Sequence, residues 1–286
     1  MNNKTSPIEP WRGNLLQDQV AIVTGAGTAG GGIGIGRAIA LQLARQGAYV
    51  VAMDRSEAAA EATAEMIRAE SGRALPLVAE ATDAANVQAK FASVEAELGP
   101  IGILVNTVGQ GGPGGLLETT LEDWNSSLAR NLSSAFICSQ AALSSMLRQK
   151  MGSLVHIGST FAIRYPGSDF LAYSVAKAGL MQLSKCIALE FAKLGVWSNI
   201  ILPGAVDTPS IRDRLMERWG QEKLDSVLEA RSRVNPQGTT ANVWDIANSA
   251  CFLAGSLAAH ITGTELIVDG GASSITVPSY FTTAVK

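Results

Sequence analysis

Tyr173 and Lys177, four residues apart in "YSVAK", are a pair whose types and spacing can move a proton. Within a helix that spacing puts both on one face, so the ammonium of Lys177 lies beside the phenol of Tyr173. A phenol of pKa about 10 is a poor base at neutral pH. An adjacent cation favours phenolate, which can then exchange a proton with a substrate hydroxyl. Alone, such a helix turn is more often structural, but a feature upstream changes its meaning. The stretch "TGAGTAGGGIGIGRAIA", residues 24–40, holds seven glycines in its first thirteen positions and then becomes an alanine-rich, helix-forming run. Glycines there let the backbone turn tightly and approach a ligand, while the helix amino terminus offers N–H groups and partial positive charge to a pyrophosphate. Asp54 ends the next apolar run, 18 residues after Gly36, where a dinucleotide site places its ribose-binding carboxylate.

The elements that must position these groups alternate along the whole chain. "QVAIVTG", "AYVVAMD", "ALPLVAE", "GILVNT", "GSLVHIGS", "VWSNIILPG" and "TELIVDGG" predict strands, and helices are expected near 34–47, 56–71, 84–98, 120–150, 170–194, 210–230 and 243–255. Strand, helix, strand repeated in this way predicts an α/β fold, a doubly wound parallel sheet of about seven strands covered by helices on its faces. The catalytic and dinucleotide-binding domain is expected over 18–272, with a lid near 205–237. Residues 1–17 and 273–286 read as extensions.

Composition narrows the partners. A chain of 286 residues with 47% apolar and 16% charged residues has ample core for one large domain. A net charge of −3 offers no attraction for phosphate backbones or anionic lipid, so nucleic acid and membrane surfaces are excluded in favour of a small molecule. No run is long and apolar enough to span a bilayer and no leader is visible, which predicts a cytoplasmic protein. Cys138, Cys186 and Cys251 lie far apart in apolar helical surroundings and are expected to be buried free thiols. His156 and His260 have no second ligand at useful spacing, so no metal is expected.

From residue 18 to 272 the chain resembles the short-chain dehydrogenase/reductase family. The resemblance rests on Thr24-Gly25 followed by Gly34-Ile35-Gly36, on Asp54, on "YSVAK", and on three further segments. In "ILVNTVG", Asn106 and Gly109 match a cofactor-side loop, with Thr107 and Val108 replacing its middle pair. In "ILPGAVDTP", Pro203, Gly204 and Thr208 match the segment beside the nicotinamide. "VHIGST" supplies Ser159 and "ARNLSSAF" supplies Asn131. The family usually has three residues between Thr-Gly and Gly-Ile-Gly, whereas here "AGTAGGG" and Ile33 intervene. A longer loop of that kind is similar to one in enoyl-acyl-carrier-protein reductases. Those enzymes place tyrosine seven residues before lysine, where this chain has Phe170, so the active-site spacing argues against that branch.

The resemblance implies an oxidoreductase interconverting a secondary alcohol and a ketone. Tyr173 would act as acid/base, Ser159 (with Thr160 as the neighbouring alternative) would stabilise the substrate oxygen, and Lys177 would lower the phenol pKa and hold ribose. Asn131 would support the proton path by holding a bend in its helix. Cofactor contacts are implied for Gly25, Gly34, Ile35, Gly36, Glu80 and Ala81, with Asp83 alternatively a helix cap. Asp54 repels a 2′-phosphate and so favours NAD over NADP, although Arg55 and Arg37 are nearby cations. An NADP-dependent 3-oxoacyl reductase and a non-catalytic NAD(H)-sensing subunit are the alternative functions. A homotetramer, or else a dimer, is implied, with helices 120–150 and 170–194 between subunits. Arg212, Arg214 and Arg218 alternate with Asp213 and Glu217 and read as a solvated helical face.

Overall fold

The computed structural model describes residues 13–28, 31–112, 114–165, 170–233 and 235–275. Most of the first extension, the apolar end "VPSYFTTAVK", and parts of the glycine loop and of the wall segment 160–170 lie outside them. Seven strands form one parallel sheet: β1 (Val20–Thr24), β2 (Tyr49–Asp54), β3 (Arg73–Val78), β4 (Ile101–Asn106), β5 (Gly152–Ile157), β6 (Val196–Pro203) and β7 (Glu265–Val268). Their order is β3-β2-β1-β4-β5-β6-β7, as a doubly wound fold requires. β1, β4 and β5 are buried from end to end because helices cover both faces, so their sequences are continuous apolar runs rather than alternating ones.

On one face, α1 (Ile35–Arg45), α2 (Glu57–Ala69) and α9 (Val243–Ala254) pack Ile39, Leu43, Ile67, Ile246 and Leu253 against Val23, Val50 and Ile201. On the other, α3 (Ala84–Leu98) and α5 (Ser134–Gln149) bring Phe91, Val94 and Met146 onto Ile22, Leu104 and Leu154. α6 (Leu171–Phe191) continues that layer through Leu180 over Ile200 and Leu202. Leu16 is buried in the first of these clusters with Leu15 packed beside it, so the packed body includes residues expected in the amino-terminal extension.

Three local expectations need correcting. The helix expected over 120–150 is α4 (Leu121–Leu128), a π-helical turn (Ala129–Ser133) and then α5. The helix expected over 210–230 breaks into α7 (Pro209–Trp219) and α8 (Gln221–Ser232), because Gly220 between them has φ of 77°, a conformation that ends a helix. Cys186 is exposed, while Cys138 and Cys251 are buried and their thiols are pushed up to about 12, mainly by burial. Among the described residues no helix is long and apolar enough to cross a membrane.

Candidate active site

The strand order reverses between β1 and β4, and the carboxyl ends of these strands open the crevice in which doubly wound sheets bind ligands. Gly25, at φ 64°, makes the turn out of β1. A Cβ on Gly36 would stand 2.1 Å from the Gly25 carbonyl oxygen, so α1 starts in direct contact with that turn and no larger residue fits. Gly34 caps α1 without a side-chain acceptor, and the first turn has no acidic residue. Its first N–H groups therefore remain available for an anion, which is what a pyrophosphate requires. Asp54, at the end of β2, accepts from the N–H groups of Gly27 and Ser56, each at 3.0 Å. The carboxylate is thus held at the rim of the glycine loop with lone pairs remaining for ribose hydroxyls.

The long loop is fastened by residues that spacing alone does not reveal. Arg37 is 4% exposed and donates through Nε to Thr63 Oγ1 at 2.9 Å and to the carbonyls of Gly32 and Ala59. Thr63 Oγ1 in turn donates to the Ala26 carbonyl at 2.9 Å. Thr107 Oγ1, the departure from the family's middle pair, donates to the Thr24 carbonyl and lies against Gly25. Arg37 is therefore a structural latch. Arg55 is exposed at the same rim.

Four residues converge at the carboxyl end of β5. Ser159 follows that strand, is 8% exposed and accepts from the Phe161 N–H at 3.2 Å, and its hydroxyl is among the groups that act on the Tyr173 phenol. Tyr173 is packed edge-on by Phe161 and Phe170, with ring centroids 6.0 and 6.4 Å away. Lys177 is 3% exposed, and its Nζ donates to the Ile157 carbonyl at 2.8 Å and lies 5.7 Å from the Tyr173 ring centroid. Asn131 is fully buried in the π-helical turn. Its Nδ2 donates to the carbonyls of Ser127 at 3.0 Å and Gln110 at 3.1 Å, and its Oδ1 accepts from the Gln110 N–H at 3.0 Å. The helix is interrupted by a π turn at Asn131, whose amide satisfies the Ser127 carbonyl one turn before it. Gly109 fits between them: a Cβ there would lie 2.6 Å from Asn131 Oδ1 and 2.9 Å from Lys177 Nζ.

Asn131→Ala is expected to destabilise the fold by about 2–3 kcal/mol, since it leaves the Ser127 and Gln110 groups without a partner in a buried place. Urea unfolding followed by circular dichroism checks this, and an unchanged midpoint would remove Asn131 from the structural account.

The electrostatics differ from the sequence expectation. Burial raises the Tyr173 pKa, and the Ser159 hydrogen bond and the charge of Arg214 lower it only in part. Burial also lowers Lys177 to about 8. The Lys177 ammonium donates to the Ile157 carbonyl and lies 5.7 Å from the Tyr173 ring centroid, and the charge of Arg214 also favours the phenolate. Without a further positive charge the phenol stays protonated at neutral pH, a form suited to donating a proton to a ketone oxygen.

Other expected residues are placed unevenly. Thr208 Oγ1 caps α7 by accepting from Ile211 N–H at 3.3 Å, and Gly204 follows Pro203 so closely against Asp269 that a Cβ would lie 2.6 Å from the Asp269 Cβ. Glu80 is exposed after β3 and accepts from Thr82, Ala81 is buried, and Asp83 caps α3. Asn106 departs from expectation: its Nδ2 donates to Ser139 Oγ at 3.2 Å and lies 3.3 Å from His156 Nδ1. The side chain therefore lies beneath α5 and away from the crevice. His156 is buried with its pKa lowered to about 3 by burial and then by Lys177, so it stays neutral.

A family model described as enoyl-(acyl carrier protein) reductase matches residues 30–273. The 2,5-dichloro-2,5-cyclohexadiene-1,4-diol dehydrogenase of Sphingobium indicum is 35% identical over 258 residues, covering 90% of this chain and 97% of that one. A crystal structure from Burkholderia xenovorans, classed as a short-chain dehydrogenase/reductase, superposes with a TM-score of 0.88 at 38% identity, over 92% of this chain and all of that one. The chain belongs to the short-chain dehydrogenase/reductase family. As a member it is an oxidoreductase acting on alcohol- or ketone-type substrates. A gluconate 5-dehydrogenase of Burkholderia cenocepacia, solved with NADP and tartrate, is also similar, at 28% identity and a TM-score of 0.82 over 91% of this chain and 97% of that one. Phe170, in the position that carries tyrosine in enoyl reductases, packs against Tyr173 as part of the wall.

Proposed function

We propose that this short-chain dehydrogenase/reductase interconverts a secondary alcohol and a ketone with NAD. The observation that carries the reading is the convergence of Ser159, Tyr173, Lys177 and Asn131 at the carboxyl end of β5, beside the crevice that opens between β1 and β4. Bound NAD(H) would accept or supply the hydride. Ser159 donates a hydrogen bond to the substrate oxygen, and Tyr173 gives its phenolic proton to that oxygen in reduction or takes it in oxidation. Lys177 would hold the nicotinamide ribose, and Asn131 fixes the 109–110 backbone against which Lys177 packs. The amides of Gly25, Ile35 and Gly36 would hold the pyrophosphate; that of Gly34, also expected there, donates instead to Thr28 Oγ1 at 3.1 Å. Asp54 would hold the adenine ribose, with Arg55, Glu80 and Ala81 at the adenine. Gly109, Pro203, Gly204 and Thr208 would border the nicotinamide. Asn106 acts only by supporting the end of β4. We also propose a homotetramer built through α4, α5 and α6, whose Leu121, Phe136 and Val175 are exposed in the single chain.

NAD is preferred because a carboxylate at the end of β2 would repel a 2′-phosphate, while the Arg37 guanidinium is engaged by Thr63, Gly32 and Ala59. The relative solved with NADP makes this the point to test first. Titration by nicotinamide fluorescence should give NADH a Kd at least about tenfold below that of NADPH, a difference of about 1.4 kcal/mol. Asp54→Ala should narrow the gap. Tighter NADPH binding by the native protein would overturn the assignment to NAD, and cofactor binding without turnover across a panel of ketones would favour the sensing subunit.

A further inference from the structure

We propose that the substrate carries a small oxyanion, a carboxylate or its phosphate or sulfonate equivalent, which Arg214 and Arg231 of the lid hold beside Tyr173. The inference rests on the oxidoreductase reading of the site and names its substrate class. α7 carries three arginines that behave differently. Arg212 is paired with both oxygens of Asp207 at 2.7 and 2.5 Å, and Arg218 lies over the Trp219 ring at 5.4 Å. Both belong to the solvated face. Arg214 turns inward: its Nε donates to the Ser210 carbonyl and its Nη1 to the Gly111 carbonyl, each at 3.1 Å.

Gly111 locates the guanidinium relative to the catalytic tyrosine. A Cβ built on it would lie 3.3 Å from the Phe170 ring and 3.8 Å from Arg214 Nη1, and Phe170 is the ring packed on Tyr173. Arg214 therefore borders the aromatic wall of the crevice, with Nη2 not engaged by any described residue. Arg231 comes from α8, and its Nε–H is buried without an acceptor among the described residues. Its pKa is lowered by burial, and Arg214 is near enough to lower it further; Asp207 opposes this. Both oxygens of Asp207 are already engaged by Arg212.

Arg214, fastened at the aromatic wall with Nη2 not engaged by any described residue, and Arg231, whose buried Nε–H has no acceptor among them, offer donors that a single oxyanion satisfies. A planar guanidinium presents paired N–H groups that match a carboxylate or phosphate in two-point contact, so an anion is recognised by shape as well as charge. A neutral alcohol offers these groups no such partner. Because Arg214 also hydrogen-bonds the 109–117 wall at Gly111, an anion on it would hold the lid and the wall together over the reacting oxygen.

The test uses the native protein with NAD and a series of short secondary hydroxy acids, each paired with its neutral methyl ester. The kcat/KM of each acid should exceed that of its ester by about 100-fold or more. Arg214→Gln and Arg231→Gln should each lower this ratio at least tenfold, chiefly through KM; Arg214→Lys should retain part of it, and Arg218→Gln should leave it unchanged. Malonate, read by thermal shift without turnover, should stabilise the native protein and lose that effect in the two Gln variants, whose folding is checked by circular dichroism. Esters turned over as well as acids, or ratios indifferent to both arginines, would overturn the anion site. No turnover of any acid or ester with malonate still bound would overturn the oxidoreductase reading and leave the anion site standing. A phosphate or sulfonate analogue outperforming the carboxylate would identify which oxyanion the site takes.

Discussion

Tyr173→Phe is expected to lower kcat in both directions by about 10³-fold or more, with the Kd for NADH within about twofold of the native value. The substitution removes only the phenolic oxygen. The ring that packs against Phe161 and Phe170 remains, so the wall and the start of α6 keep their geometry. What is lost is the phenol that the proposed mechanism uses to exchange the proton. The pH dependence of the native protein should carry the same signature. Because burial raises the phenol above its ordinary pKa, the protonated form dominates through neutral pH. Ketone reduction should therefore hold its rate through neutrality and fall only in the alkaline range, while alcohol oxidation should rise with pH. A Phe variant that retained more than about a tenth of native turnover would remove Tyr173 from its role.

The second large effect is at Lys177, where activity and stability are expected to move in opposite directions. Lys177→Met should abolish measurable turnover and at the same time raise the unfolding midpoint of the cofactor-free protein by about 2–4 °C. Burial holds the folded-state pKa near 8, below its ordinary value of 10.5. Such a depression corresponds to a cost on the order of 3 kcal/mol in the charged state. Below pH 8 the lysine is charged in both folded and unfolded chains and the cost is present in full. Between pH 8 and 10.5 the folded chain releases the proton first, so the cost fades as pH rises. Methionine keeps the length of the stem and removes the charge, but forfeits the bond to the Ile157 carbonyl, which offsets part of the gain. Melting curves of both proteins should thus differ most near pH 7 and converge above pH 10. A variant less stable than the native protein at pH 7 would show that the Ile157 bond outweighs the burial cost.

The parts of the site legible in the sequence are those set by local geometry. Glycines at 25, 34 and 36 mark a turn and a helix start because only they allow the backbone contact seen between Gly25 and Gly36. Asp54 lies at a strand end whatever packs around it, and Tyr173 and Lys177 share a helical face by spacing alone. The alternation of strands and helices likewise predicts the sheet before any contact is known. Asn106 illustrates where such reasoning stops. Successive strand residues point to opposite faces, and the sequence does not say whether the last residue of β4 faces the crevice or the helix that covers it. The same holds for Cys186, on a helix with apolar residues on several sides.

Spacing and residue type by themselves determined the doubly wound fold, the glycine-rich turn before α1 and the Tyr-Lys pair, because each follows from backbone geometry over a few residues. Only the tertiary structure decided that Arg37 is a latch, that Arg214 leaves the solvated face for the wall at Gly111, and that the Arg231 Nε–H is buried without an acceptor among the described residues. A charged side chain on an amphipathic surface helix has no intrinsic preference for one partner. Its direction is set by which carbonyls, rings and charges the rest of the chain brings within reach, and here those come from the loop at 109–117, the wall at Phe170 and a second helix beyond Gly220.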